Sequence, residues 1–558
     1  MMPKLMPICM IIILVLIASA FAQSPGDMVG HTYYDQQTNT SSGNRVAVCY
    51  DGSAYVCWVA MTSWPYPSGR RGVGYNWLSP SGEWLYPPEA APIIDDGGYP
   101  QIDIIYDNRG AFAYHDLIGP QPTNVTLAIE VLPGSGFFDF YDPPDEIPTE
   151  DPEHPIYLLW PYLDVDRNDY IHLVMTGGPH YLTHIQVIGY THSTDGGATW
   201  IDPEVVDTVT FPGSVIDASP VSDRVVIAYS RSQDTTSLVK NDIYYVLSDN
   251  GLGWDFQNGR VNITDYGDDP DSLWAGWDID VIFDYDDYFH IVWTEIYVTS
   301  EGGSLFHTDI KHYSEETGEI TTAVFSHVDS TWYDICGTWN KPVCKMNLGV
   351  YQGPPEAIFL TYTRFDTTDI SAGGYGNGEI YMTYSENGGS SWTDPIDLTN
   401  SHTPDCLPGD CDSDHWSSLA DVVDDYLHII YINDKDAGGI PQTEGVATNN
   451  PVMYLAYPNP ILSIKENANR PAIFSLDQNR PNPFNAKTTI SFELKKPADA
   501  NLVIFDITGA KVTTLVDKYL PAGPHEVVWD AKDMASGTYI YRLTADGSSF
   551  SKKAVLLK

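Results

Sequence analysis

The sequence predicts an all-β chain: a ring of small antiparallel sheets followed by a separate sandwich. Three observations predict it: a strand-like phrase recurring seven times over the first 460 residues, turn-forming words between its copies, and an abrupt change of composition near residue 470. The phrase reads YVCWVAM from Tyr55, AFAYHD from Ala111, YIHLVMT from Tyr170, RVVIAYS from Arg224, YFHIVWT from Tyr288, AIFLTYT from Ala357 and YLHIIYI from Tyr426. Its steps are 56, 59, 54, 64, 69 and 69 residues. An apolar strand and an Asp, Asn or Gly turn precede most copies, as in LDVDRND and VIFDYDD, which is hairpin chemistry. A third strand follows each copy and usually a fourth, so each unit is a four-stranded meander. Meanders at a steady period specify a β-propeller. Seven blades fit best, with six or eight as alternatives. The seventh unit lacks a fourth strand, and the unclaimed MVGHTYYDQ near the N-terminus is suited to supply it, leaving no naked sheet edge.

The first residues, MMPKLMPICMIIILVLIASAFAQ, have one Lys, an apolar run from Ile8 to Ile17 and Ala20-Phe21-Ala22. That is the pattern of a secretory signal peptide, assigned to residues 1–22, and the run is too short to span a bilayer. The propeller is assigned to 23–460, a linker to 461–472 and the sandwich to 473–558. In an oxidising compartment, Cys49 with Cys57, Cys336 with Cys344 and Cys406 with Cys411 suit three local disulfides. No pair has the spacing of a zinc knuckle.

Charge is uneven. Residues 470–558 hold 12 Lys+Arg and 9 Asp+Glu, while the remainder holds 16 and 66. Such a body repels nucleic acid and anionic membranes and attracts cations. In DCLPGDCDSDHW, Asp410, Asp412 and Asp414 alternate, with Asp405 nearby, an arrangement able to wrap a Ca²⁺ ion although the Gly and distal Glu of an EF-hand are missing. His172, His290 and His428 share one repeat position. They fall in non-adjacent blades, so they read as strand side chains rather than ligands of one ion. Trp64, Tyr66, Trp274, Trp277, Trp332, Trp339 and Trp416 fall outside the strand phrases, and loop aromatics suit stacking on sugars or gripping a protein.

Where the third strand ends, two copies of one turn occur: Ser193, Asp195, Gly197 and Trp200 in STDGGATW, and Ser385, Asn387, Gly389 and Trp392 in SENGGSSW. These resemble the Asp box of sialidases and other bacterial-neuraminidase-repeat propellers. SDNGLGW at Ser248 is one residue short, and SPSGEW at Ser79 and SEETGE at Ser314 are degenerate. In that family such turns lie away from the active face. Its enzymes use three Arg, a Tyr activated by Glu, an Asp and a Phe/Tyr-Arg-Ile-Pro phrase. That phrase is absent, and the propeller holds only nine Arg, so no catalytic residue is carried over.

From Arg470 on, QNRPNPFN, LVIFDITGAKV, Trp529, SGTYIYRL and the basic end KKAVLLK resemble the C-terminal sorting domain of type IX secretion cargo, related to an immunoglobulin-like domain. Alternating apolar residues and frequent turns give this module a small antiparallel sandwich of about seven strands, and the resemblance implies export through the periplasm and a partner in the type IX machinery. The expectation is a secreted or outer-surface protein that binds a glycan or an extracellular protein. The alternative is a sialidase-like glycoside hydrolase.

Overall fold

A computed structural model of the chain describes residues 24–558 except 39–40, 67, 117–123, 151–154, 179–184, 212, 234–238, 268–271, 299–307, 327–334, 463–473, 477, 507–510, 533 and 546–547. The signal-peptide assignment, most of the linker and Trp332 lie outside the described residues. The chain divides into two compact units, residues 1–459 and 460–558.

The first unit holds seven antiparallel blades. Blade 1 is Val46–Val48, Ala54–Met61 and Arg71–Leu78, with the start of Ile93–Ile104 as its outer strand. The rest of Ile93–Ile104 opens blade 2, continued by Gly110–Asp116, Val125–Glu130 and Phe138–Tyr141. Blade 3 is Ile156–Val165, Ile171–Gly178, Gln186–Ser193 and Glu204–Val209. Blade 4 is Ser214–Ala218, Val225–Ser232, Asn241–Ser248 and Val261–Asn262. Blade 5 is Ser272–Phe283, Phe289–Val298, Thr308–Ser314 and Ile320–Val324. Blade 6 is Val343–Tyr351, Ala357–Ile370, Gly376–Ser385 and Ile396–Asp397. Blade 7 is Ser413–Leu419, Tyr426–Asp434 and Asn450–Pro458, completed by the N-terminal strand Asp27–Thr32 against Asn450–Pro458.

The recurring phrase is the second strand of every blade, and both its faces are buried because blades pack on blades. Ala54–Met61 is buried throughout, which is why it reads as an unbroken apolar run. Hydrogen bonds between innermost strands close the ring. Ile102 N–H donates to Asn44 O (2.8 Å), Val165 N–H to Asp103 (2.6 Å), Phe283 N–H to Asp217 (2.6 Å) and Leu348 N–H to Asp280 (2.7 Å). Val350 N–H reaches Asp421 O (2.7 Å), and Asn44 Nδ2 reaches the Asp421 carboxylate (2.6 Å).

Five innermost strands carry a register shift midway, at Gly98/Gln101, Leu159/Tyr162, Ala275/Ile279, Cys344/Asn347 and His415/Ser418. In four of these the bulge residue is large and has positive φ: Tyr99 (52°), Trp160 (49°), Lys345 (54°) and Trp416 (54°). Bulky residues rarely adopt that conformation, and bulges re-aim side chains.

One of the three expected disulfides is present, Cys406–Cys411. Cys49 and Cys57 are free because the hairpin register separates them: Cys49 N–H pairs with Ser53 O (2.8 Å) and Cys57 N–H with Arg45 O (2.9 Å). Cys336 and Cys344 pack unbonded with Phe365 in an apolar cluster. Peptide mapping after alkylation of the denatured, unreduced protein should find these four cysteines alkylated and the 406–411 pair protected. Protection of Cys49 or Cys57 would contradict the register.

Phe138–Tyr141 edges blade 2, and Glu146–Ile147 pairs with Ile156 and Tyr157. The second unit is a two-sheet sandwich of seven strands, Phe474–Leu476, Lys487–Leu494 and Gly523–Asp530 forming one sheet and Lys511–Leu520, Ala498–Asp506, Gly537–Ala545 and Ser548–Leu556 the other. Alternate residues such as Ile490, Phe492 and Leu494 turn inward, and Trp529 fills the core against Phe484 and Tyr539.

Candidate functional site

Each blade has two ends. At the hairpin face, innermost strands turn into second strands and third strands end; at the loop face, second strands run into third strands. The hairpin face is built for rigidity. Ser193 Oγ donates to Asp195 (2.9 Å) and accepts from Gly197 N–H (2.9 Å), while Asp195 accepts from Thr199 N–H (2.8 Å). Trp200 folds back to donate to Gly197 O (2.9 Å). Ser385, Asn387 and Gly389 repeat this pattern, with Ser391 N–H on Asn387 (3.0 Å), and Trp392 packs edge-on against His312. Gly197 and Gly389 have φ of 88° and 82°, which a side chain would strain.

The three aligned histidines staple hairpins separately. His172 meets Tyr190 Oη (2.8 Å), His290 meets Asp284 (3.1 Å) and His312 (3.0 Å), and His428 meets Asp424 (3.2 Å). A cleft of about 420 Å³ between blades 2 and 3 also opens here. Its charged groups are committed: Arg109 to Asp107 (2.8 Å), Asp169 to Tyr106 N–H (2.8 Å) and Asp195 to its own turn.

Beneath this face, Asp164, Asp217 and Asp280 are buried and Asp103 and Asp421 half-buried around the ring's centre, one from each of five blades. Burial pushes Asp103 and Asp280 up to about 7. Burial, then the neighbouring carboxylates, hold Asp164 and Asp421 well above the carboxylate range. Asp217 is likewise raised by burial, and it shares a hydrogen bond with Asp164. One proton between two carboxylates is the arrangement that avoids adjacent buried charges.

The loop face differs. Six propeller arginines are paired with carboxylates: Arg70 with Asp96, Arg109 with Asp107, Arg167 with Asp223, Arg224 with Glu315, and Arg231 and Arg260 both with Asp207. Arg71 has no carboxylate partner among the described residues, although the chain carries 75 acidic side chains. Its guanidinium carbon lies 4.5 Å from the Tyr34 ring centroid and 4.9 Å from that of Tyr99, and its Nε and Nη2 are buried without a hydrogen bond.

The local sequence explains this cluster. Tyr99 sits on the blade 2 bulge, where positive φ aims its ring back at Arg71. Gly98 precedes it, and a Cβ there would collide with Arg71 Nη2. Tyr34 follows the N-terminal strand and its Oη meets Tyr99 Oη at 3.1 Å, with Trp64 beyond Tyr34. His115, at the end of Gly110–Asp116, lies 5.2 Å ring to ring from Tyr99. Burial, then the Arg71 charge, push it down to about 3, so it is neutral, and its Nδ1 has no partner. Nearer the axis, buried Arg45 donates to Trp416 O and leaves Nε and Nη1 unpartnered. A desolvated planar cation with free donors, flanked by aromatic faces and a neutral imidazole, suits a bidentate anionic oxygen group on a ligand that also stacks.

The residues expected from sequence distribute unevenly. Trp64 is half-buried beside this cluster, Tyr66 is 58 % exposed near it in sequence, and Trp339 is exposed and edge-on to Trp277. Trp274, Trp277 and Trp416 are not loop residues: they lie in innermost strands and are buried, Trp277 under Lys341 and Trp416 under Lys345. Of the alternating aspartates only Asp412 and Asp414 come together, both accepting from Asn433 Nδ2. Asp405 and Asp410 are exposed, Asp412 is held by Lys435 (2.5 Å), and Asp414 turns inward to Ser24 (2.8 Å), Ser401 (2.7 Å) and Asn433 (2.7 Å). A tyrosine–glutamate pair exists, Tyr266 Oη to Glu295 (2.8 Å), and Lys311 pairs with that glutamate (3.1 Å).

No curated protein matches the sequence. Among solved structures, a polysaccharide lyase of family PL25, an ulvan lyase bound to -[GlcA(1-4)Rha3S]-, is similar at 11 % identity and a TM-score of 0.48, over 78 % of this chain and 96 % of that one. The Penicillium chrysogenum α-L-arabinanase complexed with arabinobiose shares 10 % identity at a TM-score of 0.40, over 64 % and 92 %. A protein of unknown function from Dyadobacter fermentans shares 11 % at 0.38, over 78 % and all of that chain. Among the described residues no helix is long and apolar enough to cross a membrane. Residues 480–557 match the secretion system C-terminal sorting domain family, and the chain is a β-propeller protein delivered by that tail to the cell surface or beyond.

Proposed function

We propose that the propeller is an extracellular glycan-binding module whose loop face captures a carboxylated or sulfated saccharide on Arg71, between Tyr34 and Tyr99. The observation that carries this reading is a half-buried arginine whose Nε and Nη2 have no hydrogen-bond partner and which has no carboxylate partner among the described residues, in a unit where carboxylates outnumber cations about fourfold. A buried cation without a partner is costly unless something supplies the missing charge, and a ligand anion does so. Half-buried Trp64 and exposed Tyr66 beside the cluster supply stacking area for sugar rings. The two Ser-x-(Asp/Asn)-Gly-Gly turns support kinship with Asp-box propellers, and residues 1–22 are read as the leader for export across the inner membrane.

The alternative reading, a sialidase-like hydrolase, is favoured by the Tyr266–Glu295 hydrogen bond, since a carboxylate beside a phenol can activate it as a nucleophile. A glycan array run beside a fluorogenic glycoside panel separates the two. Capture of uronate-containing, sialylated or sulfated glycans, without neutral ones and without turnover, is expected. Turnover abolished by Glu295→Gln or Tyr266→Phe would replace the binding reading with the enzymatic one.

A further inference from the structure

We propose that Asp369, Glu379 and His402, on the loop face of blade 6, bind a divalent transition-series metal ion, Zn²⁺ or Mn²⁺. One ligand atom from each lies within 4.8 Å of the other two. Asp369 closes the long strand Ala357–Ile370, Glu379 stands on its neighbour Gly376–Ser385, and His402 follows the outer strand Ile396–Asp397.

The segment bearing His402 is fixed on both carboxylates. Ser401 N–H donates to Glu379 Oε1 (2.9 Å) and Oε2 (3.1 Å), and Thr403 N–H donates to Asp369 Oδ1 (3.2 Å) and Oδ2 (3.3 Å). The imidazole between these two amides is therefore delivered to the gap between the carboxylates. Further donors crowd one oxygen of each acid. Asn377 Nδ2 holds Asp369 Oδ1 (2.8 Å), while Ser401 Oγ (3.2 Å) and Thr399 Oγ1 hold Glu379 Oε2. Asp369 Oδ2 and Glu379 Oε1 are left with open lone pairs. Outer donors that orient carboxylates while leaving inner oxygens free are how protein metal ligands are positioned.

His402 Nδ1 stands 3.8 Å from Glu379 Oε1, beyond hydrogen-bond distance. Ligands at bonds of about 2.0–2.2 Å sit roughly 3.3–3.5 Å apart around a tetrahedral ion, so a small turn of this 42 % exposed ring closes the set. One nitrogen and two oxygens favour zinc or manganese over calcium, which takes six to eight oxygens. The loop behind is anchored: Asp405 N–H reaches Ile370 O (2.8 Å), Ala372 N–H reaches Cys406 O (2.9 Å), and the Cys406–Cys411 disulfide closes it.

The test uses the untagged full chain, stripped with a chelator and titrated calorimetrically with ZnCl₂, MnCl₂ and CaCl₂. One Zn²⁺ or Mn²⁺ per chain is expected, with a rise in thermal midpoint. His402→Ala should weaken affinity at least tenfold while keeping the metal-free midpoint, and Glu379→Gln should weaken it similarly. Asp410→Asn should bind as the wild type does. No stoichiometric binding, unchanged affinity in His402→Ala, or a calcium-only response would overturn the proposal.

Discussion

Replacing Arg71 by Ala is expected to cut affinity for a carboxylated or sulfated oligosaccharide by tenfold to several hundredfold in a calorimetric or surface-binding titration. Arg70→Ala, next in sequence but paired with Asp96, should stay within about twofold. The magnitude follows from the chemistry: a charge-assisted hydrogen bond contributes about 1.5–3 kcal/mol, and a bidentate guanidinium makes two in a desolvated setting. Arg71→Lys should recover only part of the loss, because an ammonium neither fills the slot between two tyrosine rings nor presents parallel donors. Arg71 Nε and Nη2 make no hydrogen bond within the protein, so its removal should cost the fold little beyond packing on the two tyrosine rings, and the thermal midpoint should move by only a few degrees. Equal weakening by Arg70→Ala would point to diffuse electrostatics instead of a seat at Arg71.

Raising pH from 6.5 to 8.5 is expected to lower the thermal midpoint by about 5 °C or more. The carboxyls responsible have native values above their unfolded value near 4. Burial, then Asp434, push Asp35 up to about 7; burial pushes Asp103 and Asp280 to about 7 and Asp434 to about 8; and burial holds Asp164, Asp217 and Asp421 well above the usual carboxylate range. The native state therefore holds more protons than the unfolded chain, and stability falls as pH climbs from about 4 through these values. Each unit of displacement corresponds to about 1.4 kcal/mol, before coupling among the axial acids reduces the sum. Buried His115 and His415 act oppositely. Burial holds them near 3 and 4, so they lower stability only below about pH 6.5, where the unfolded histidines protonate. Asp164→Asn should flatten the alkaline fall, because the amide never ionises. A midpoint that rises with pH would show these carboxylates to be ionised and compensated.

Much of this architecture was legible in the sequence because burial on both faces writes continuous apolar strands at a steady period. The closing role of the N-terminal strand followed from counting strands in the seventh unit. Of the disulfides only Cys406–Cys411 was legible: spacing placed Cys49 and Cys57 around one turn, whereas the two-strand register put Cys57 opposite Arg45. Trp277 and Trp416 read as loop residues because a bulge interrupts the alternation of their strands, and nothing in composition announces a positive φ at Trp416 or Tyr99. The axial acids did leave a trace, an Asp between apolar residues in IDI, LDV, IDA and IDV at Asp103, Asp164, Asp217 and Asp280, hidden by the abundance of aspartate elsewhere. Arg71 left only the doublet RRG, whose members point to opposite fates, and sequence carries no sign of which arginine lacks a partner.

The most direct measurement is a crystal structure of the full chain with a bound uronate- or sulfate-bearing oligosaccharide. A ligand anion on the Arg71 guanidinium, with a sugar ring against the aromatic wall of Tyr34, Trp64 and Tyr99, is the predicted result. A ligand seated elsewhere, at Tyr266 and Glu295 or on the hairpin face, with Arg71 left bare, would contradict it.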